Sequence, residues 1–514
     1  MPVERNISFL RNHVEGVFRM EMAFQKTEIA CMVGAVREVQ NSEQTQELRL
    51  PDGMPDIGKV LCAWGQVILR SKEWRSDSIL ISGGMLMWVL YTPEGGGSPQ
   101  ILDGWLPFQM RWMLPESCGE GAIRITALTR FADARSVSPR KLMLRGGIGV
   151  MAEALVPRSL PLFTPGQDPE NVELLRKRYP VRLPKEAGEK PFNLEEELNP
   201  GTRPEKLLYY TLRPEITEQK VLANKIAFRG NANLHAVWLG ENGSVSTQDF
   251  PVPFSQFAEL RGSFSPEAKV DVNCCVTDLE AETNEAGLLA VKCGIAAQYL
   301  VDDVQVLETV EDAYAPGRDL RMETQTLEVP ALLERRTETI GADAQIAAGS
   351  QLADVSFLPD FPRQYREEGG MALEAPGTIQ ALFYDGEGNL AAASARWEGK
   401  LTWPMGEDAA LSAVPLAPQT PQIFAGGETT TARAELPVLL TATGGRGIPM
   451  VTELEPGAQT EPDPQRPSLI LRRAGTDGLW EIAKACGSTV EAIRSANNIQ
   501  EEPKPGQMLL IPVP

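Results

Sequence analysis

Few side chains in this sequence have both the type and the spacing that chemistry needs. Histidine occurs only at His13 and His235, so a histidine-dependent nucleophile or a multi-histidine metal site lacks its parts. His235 sits in the alternating stretch NLHAVWL, where a period of two reads as a sheet-surface position rather than that of a general base. The acidic run LEEEL, residues 194–198, reads as a solvated face and not as an acid/base pair. GGGS at Gly95 and GGRG at Gly444 lack the Gly-Lys-Ser/Thr ending of a phosphate loop and suit hairpin tips. Seven cysteines (Cys31, Cys62, Cys118, Cys274, Cys275, Cys293 and Cys486) are scattered without a CxxC, which is the usage of reduced, buried thiols. Cys274 and Cys275 adjoin on a predicted strand and so point to opposite faces. No catalytic residue, metal or cofactor is expected, and the chain reads as a non-enzyme.

The elements that would position any site must come from several domains. The chain has 514 residues, and roughly 100 to 200 residues per domain predicts three to five units. Apolar residues make up 42% and charged residues 23%, enough to build real cores. A net charge of −20 repels phosphate backbones and anionic lipid surfaces, so neither nucleic acid nor membrane is an expected partner. The opening residues MPVERNISFLRNHVEGVFRM are broken by charge and have no signal-peptide core. No apolar run is long enough to span a bilayer, and a cytoplasmic location is expected.

Repetition is the strongest internal signal. SILISGGMLMWVLYTPEGGGS recurs as NKIAFRGNANLHAVWLGENGS, with Gly83 and Gly230 spaced by 147 residues, and more weakly as GTIQALFYDGEGNL. Gly243 and Gly388 then occupy one hairpin tip, LPFQ at Leu106 matches VPFSQ at Val252, and PDIGKVL at Pro55 resembles PEKLLYY at Pro204. Stretches such as AIRITALTRF and AKVDVNCCVTDLEAE alternate with period two, as half-buried antiparallel strands do. The expected fold is mainly β: three sandwich-like repeats of about 150 residues and a small βααβ domain. The expected bounds are 1–160, 161–315 and 316–452, the last a degenerate copy. Between the first two repeats the residues from Asn171 are expected to open as a short helix and continue extended. ELEPGAQTEPDPQRP, residues 453–467, is predicted to be a tether because proline, glycine and charge leave little to pack.

Residues 468–514 form the βααβ domain. Leu469 and Leu471 are expected to face its core from the first strand, and Leu479, Ile482 and Ala483 from the first helix. Ser488 with Glu491 is a capping-box pattern for a second helix carrying Val490, Ile493 and Ala496. MLLIP follows a Pro505-Gly506 turn, with Leu509 and Ile511 closing the sheet.

Asp477, Leu479, Trp480, Ile482, Ala483, Asn497, Ile499 and the ending Pro505-Gly506-Gln507-x-Leu509-x-Ile511-Pro512 resemble the LysM family. One departure stands out: Gly478 replaces the Thr or Ser that in the family caps the first helix and contacts N-acetylglucosamine. The resemblance implies a binding surface at Thr476, Asp477, Gly478 and Leu479, facing Asn498, Ile499 and Gln500. LRLPDGMPDIGKVLCAWGQV, the hairpin WVLYTPEGG and LPFQ resemble the SPOCS domain of bacterial spore-coat proteins. Repeats, tether and LysM together follow the order of SipL-type spore-coat morphogenesis proteins. That resemblance implies a mother-cell protein at the forespore surface that joins coat proteins to a SpoIVA-like coat-basement ATPase through LysM. Peptidoglycan is the alternative ligand.

Overall fold

The computed structural model describes residues 24–116, 118–166, 171–241, 243–347, 351–426, 429–459 and 467–513. Six strands come first: β1 (Phe24–Arg49), β2 (Ile57–Trp74), β3 (Ser78–Pro93), β4 (Gln100–Met113), β5 (Ala122–Ser138) and β6 (Lys141–Pro165). They make two antiparallel sheets, ordered β1-β6-β5 and β2-β3-β4. The pattern returns in β7 (Glu173–Leu198), β8 (Pro204–Leu222), β9 (Lys225–Gly240), β10 (Val245–Glu259), β11 (Lys269–Thr283) and β12 (Leu289–Tyr314), as β7-β12-β11 and β8-β9-β10. It returns again in β13 (Arg318–Ile346), β14 (Gln351–Pro359), β15 (Arg363–Glu367), β16 (Gly370–Tyr384), β17 (Leu390–Pro404), β18 (Ala409–Pro415), β19 (Gln422–Gly426) and β20 (Thr429–Gln459). There β13-β20-β18 is one sheet, with β19 also on β20, and β16 pairs with β14, β15 and β17 in the other. The fold is mainly β.

Glycine explains the clearest repeat. Gly83 pairs with Phe108 and Gly230 with Phe254. A Cβ on Gly83 would lie 2.2 Å from the Ile68 carbonyl oxygen and 3.1 Å from the Phe108 ring, and one on Gly230 would lie 1.9 Å from the Glu215 carbonyl oxygen. Only glycine lets the neighbouring strand and the phenyl ring close on it together.

The three first-and-last strand pairs outrun their sheets. Residues 24–34 of β1 pair only with the end of β6, and β7–β12 and β13–β20 extend likewise as two-stranded ribbons. An isolated ribbon is marginal in water, and these three pack on one another. Ile29 and Leu160, Val181 and Leu307, and Val329 and Ile448 bury one shared core. A second shared core joins Trp64 and Trp88 to Leu208, Tyr209 and Val237 and to Leu382 of β16, with Trp64 stacked on Tyr209 at 4.0 Å.

Charge crosses the same boundaries. The buried Arg124 guanidinium pairs with Glu153 at 3.1 Å and with Asp271 of β11. Arg37 reaches Glu153 at 2.6 Å, and Arg335 pairs with Asp302. Burial pushes the Asp271 carboxyl up, but Arg124 and Arg335 outweigh it and hold it below its ordinary range.

Several expectations are corrected here. The remainder of the 171–200 stretch is extended as expected, but its opening residues from Glu173 are strand rather than a short helix, because the end of β12 needs a ladder partner and tertiary pairing overrides the local helical pattern. The GGRG stretch lies inside β20, paired with β13, and is not a hairpin tip. β20 also continues to Gln459, into the stretch expected to be tether. Residues 460–466 of that stretch, and the amino-terminal 1–23, lie outside the described residues.

Replacing Arg124 by methionine leaves the Asp271 carboxylate buried without its partner. Urea unfolding should show a loss of about 3–5 kcal/mol, and an unchanged midpoint would show that the pair does not hold the first two units together.

Candidate functional site

His235 is not on a sheet surface: it is 4% exposed, at a junction between units. Its Nδ1 lies 2.8 Å from Asp249 and its Nε2 3.0 Å from Asp354 of β14, which also accepts from the Tyr209 hydroxyl and from Thr247 at 3.1 Å. Burial opposes its charge, but the hydrogen bonds to the two aspartates prevail and its pKa is pushed up to about 9. At neutral pH this imidazolium has both nitrogens donating to carboxylates, so it has no lone pair with which to act as a base. The alternating pattern pointed to a surface because Asp354 comes from a strand 119 residues away.

Beside this cluster, a cavity of about 440 Å³ opens between the units. Edge strands β2, β5, β8, β11 and β14 line it. Amide side chains cap part of their backbone: Gln66 accepts from Leu212 N at 3.1 Å, Gln219 from Val272 N at 2.8 Å and Gln298 from Ile125 N at 2.7 Å. Cys274 and Cys275 also border it, and burial pushes both thiols up to about 12, so they stay protonated and inert. Among the described residues, no group of three or more His, Cys, Asp or Glu is placed to hold a metal ion. No helix there is long and apolar enough to cross a membrane.

The carboxy-terminal module contains β21 (Leu469–Arg473), α1 (Leu479–Cys486), α2 (Val490–Asn497) and β22 (Met508–Pro512). Its core is Leu479, Ile482, Ala483, Ile493, Leu509 and Ile511, with Ile470 packed against it. Leu469 and Leu471 are 52% and 65% exposed: the inward parity of β21 belongs to Ile470, one residue off the expected register. Ala496 is exposed rather than core. The second helix starts one residue late, because Thr489 accepts from Ala492 N at 3.0 Å while Ser488 donates its hydroxyl to the Pro512 carbonyl. Asn497 ties that helix to β22, accepting from Leu510 N at 2.7 Å.

At the expected binding surface, Thr476, Asp477, Asn498 and Gln500 are exposed, and Gly478 and Ile499 are half-buried. Leu479 is fully buried, so its side chain cannot reach a ligand. Gly478 caps α1 without a side-chain hydrogen bond. Its place is taken by Glu502, which accepts from Leu479 N at 2.7 Å and so bridges the two loops. A carboxylate suits the positive end of a helix. Asp477 pairs with Arg472 at 2.8 Å. Glu502 escaped the sequence reading because only the fold brings it back across 23 residues.

Trp480 is half-buried against the body. Its Nε1 donates to Asp312 of β12 at 2.9 Å, its ring meets Tyr314 edge-on at 4.9 Å, and Lys484 reaches the same carboxylate at 2.7 Å. Burial raises the Asp312 carboxyl, but these two hydrogen bonds prevail and hold it below its ordinary range.

The chain is thus a series of two-sheet β units ending in a βααβ module whose two loops form one lip. Residues 204–284 match the family model described as SipL, SPOCS domain, and residues 477–512 match that of the LysM domain. No curated protein and no solved structure matches the chain. The chain therefore carries the SPOCS and LysM pair of SipL-type proteins, and it is sporulation-related. Both are non-catalytic binding domains, LysM being of the peptidoglycan-binding kind.

Two outcomes follow from these contacts. His235 contributes stability fully below its unfolded value near 6.5, and loses it as pH rises towards about 9. Urea midpoints measured from pH 6 to 9.5 should fall for the native chain and flatten for His235→Asn, and equal slopes would show that the cluster does not clamp the units. Glu502→Ala uncaps α1 and should cost the module about 1 kcal/mol, read as faster hydrogen exchange at Leu479.

Proposed function

We propose that this protein is a non-enzymatic scaffold of endospore formation, made in the mother cell and acting at the forespore surface. In this reading the three β units, near 1–160, 161–315 and 316–452, hold coat proteins. The chain after Gln459 then leads to the LysM domain, 468–514, which docks a SpoIVA-like coat-basement ATPase. The observation that carries it is Glu502 on the Leu479 amide beside Gly478. Where the family has a sugar-contacting hydroxyl, this lip presents the chain's own carboxylate, a surface suited to a protein's donors. The binding face is Thr476, Asp477 and Gly478 with Asn498, Ile499 and Gln500, to which Leu479 contributes its backbone alone. Folding with buried, protonated thiols is consistent with a reducing compartment.

A second reading is binding of peptidoglycan through N-acetylglucosamine, favoured by the exposed amides of Asn498 and Gln500. The full chain and its Asp477→Lys and Gln500→Lys variants, checked for native circular dichroism, should be presented to purified SpoIVA-like ATPase and to purified peptidoglycan. The scaffold reading expects ATPase capture that falls at least tenfold in the variants, with no glycan retention. Glycan retention lost in the same variants would replace it.

A further inference from the structure

The seam between the first two units holds three side chains that neither the lip nor the His235 cluster uses. Gln298 of β12 is fully buried, and its carboxamide docks on both backbone groups of Ile125 in β5. Oε1 accepts from Ile125 N at 2.7 Å, and Nε2 donates to Ile125 O at 2.8 Å. Those two bonds fix which end of the amide is oxygen. Lys72 of β2 donates to the same Oε1 at 3.0 Å and to the Ile123 carbonyl at 3.0 Å, and it pairs with Glu189 of β7. Glu189 stands directly opposite Gln298 across the β7–β12 ladder, so the two project from one face.

An ion pair alone would account for Lys72 and Glu189. Here the lysine also meets a carboxamide whose oxygen already takes a backbone N–H, and donors fixed on a carbonyl oxygen stabilise the negative charge that nucleophilic attack places there. Amide aminolysis is slow between free molecules, but groups held in reacting geometry act at effective molarities of about 10⁵ to 10⁸ M. The exchange would strand no backbone group. The new amide keeps its carbonyl on Ile125 N, and once Nε2 has left, the Ile125 carbonyl still accepts from Asn273 at 3.2 Å. The Lys72 and Glu189 side chains are 18% and 34% exposed, so the nucleophile is shielded while the rim gives the leaving group a way out. Cys275 Sγ also lies 3.7 Å from Nε2, but burial keeps that thiol protonated, which leaves the lysine as the nucleophile.

We propose that Lys72 and Gln298 form an isopeptide bond that joins the first two units covalently, with Glu189 as the proton carrier. Lys72 passes a proton to Glu189, and the amine so formed attacks Cδ of Gln298. The Nζ–Cδ bond forms and the Cδ–Nε2 bond breaks. Nζ sheds two protons in all, both reach Nε2 through Glu189, and the nitrogen leaves as ammonium with Glu189 a carboxylate again. Each chain does this once, as a maturation and not a turnover, and the bond is independent of what the LysM lip binds.

The test is the intact mass of the purified full chain, incubated until that mass is constant. It should fall below the mass of the sequence by one ammonia, and proteolysis should release a branched peptide that joins Lys72 to Gln298. The bond closes a loop over 226 residues of sequence, so the denatured chain should run ahead of Lys72→Arg on a denaturing gel. Lys72→Arg keeps a cation beside Glu189 but offers no amine, and it should show the full mass with native circular dichroism. Glu189→Gln should slow the mass loss at least tenfold, and Cys275→Ser should leave it unchanged. A native chain that keeps its full mass, or an ammonia loss that survives in Lys72→Arg, overturns the proposal. Neither result bears on the ATPase and peptidoglycan capture.

Discussion

A sheet of three strands leaves two rows of backbone N–H and C=O groups unpaired, and covering those rows is the constraint on which this architecture depends. Edge strands β2, β5, β8, β11 and β14 all turn inward, towards the other units. Gln66 and Gln298 then satisfy backbone amides of the neighbouring unit, Leu212 and Ile125. The buried pairs Arg124–Asp271 and Arg335–Asp302 lie at the same seams. The first two units therefore complete each other's hydrogen bonding, and the Arg335–Asp302 pair joins the third to the second.

The parts of this that were legible in the sequence are those written in local spacing. Gly83 and Gly230 announce a repeat because each must admit a phenyl ring and a carbonyl at van der Waals limits. Ile482, Ala483, Ile493, Leu509 and Ile511 announce the module because a core of that size fits one pattern. What stayed hidden depends on partners far along the chain. The alternation around His235 is real, but both faces of β9 are covered, one by an aspartate of β14. Leu469 and Leu471 alternate as well as Ile470 and Arg472 do, and only the closure of β21 on β22 decides which parity faces inward. At the lip, Asp477 and Asn498 are exposed, whereas Glu502 has no signature at all.

Among the described residues, histidine and the buried cysteines serve the packing of the body. The one imidazole in the described residues is a clamped cation, and burial holds the thiols of Cys274 and Cys275 protonated. Side chains that could have supplied reactivity are spent on joining units. Two faces of the LysM domain are closed by the chain itself, the lip by Glu502 and α1 by Asp312 and Tyr314.

The three ribbons also set how the molecule answers a pull. The last residue of β20, Gln459, pairs with Arg318 at the start of β13, and the LysM domain follows in the chain. Tension applied through LysM enters that ribbon at its open end and opens its ladder one rung at a time, as a zipper does, rather than shearing all rungs at once. The ribbon should thus yield at low force and in small steps while the sandwiches stay intact. A chain loaded in this way gains slack before it gains damage.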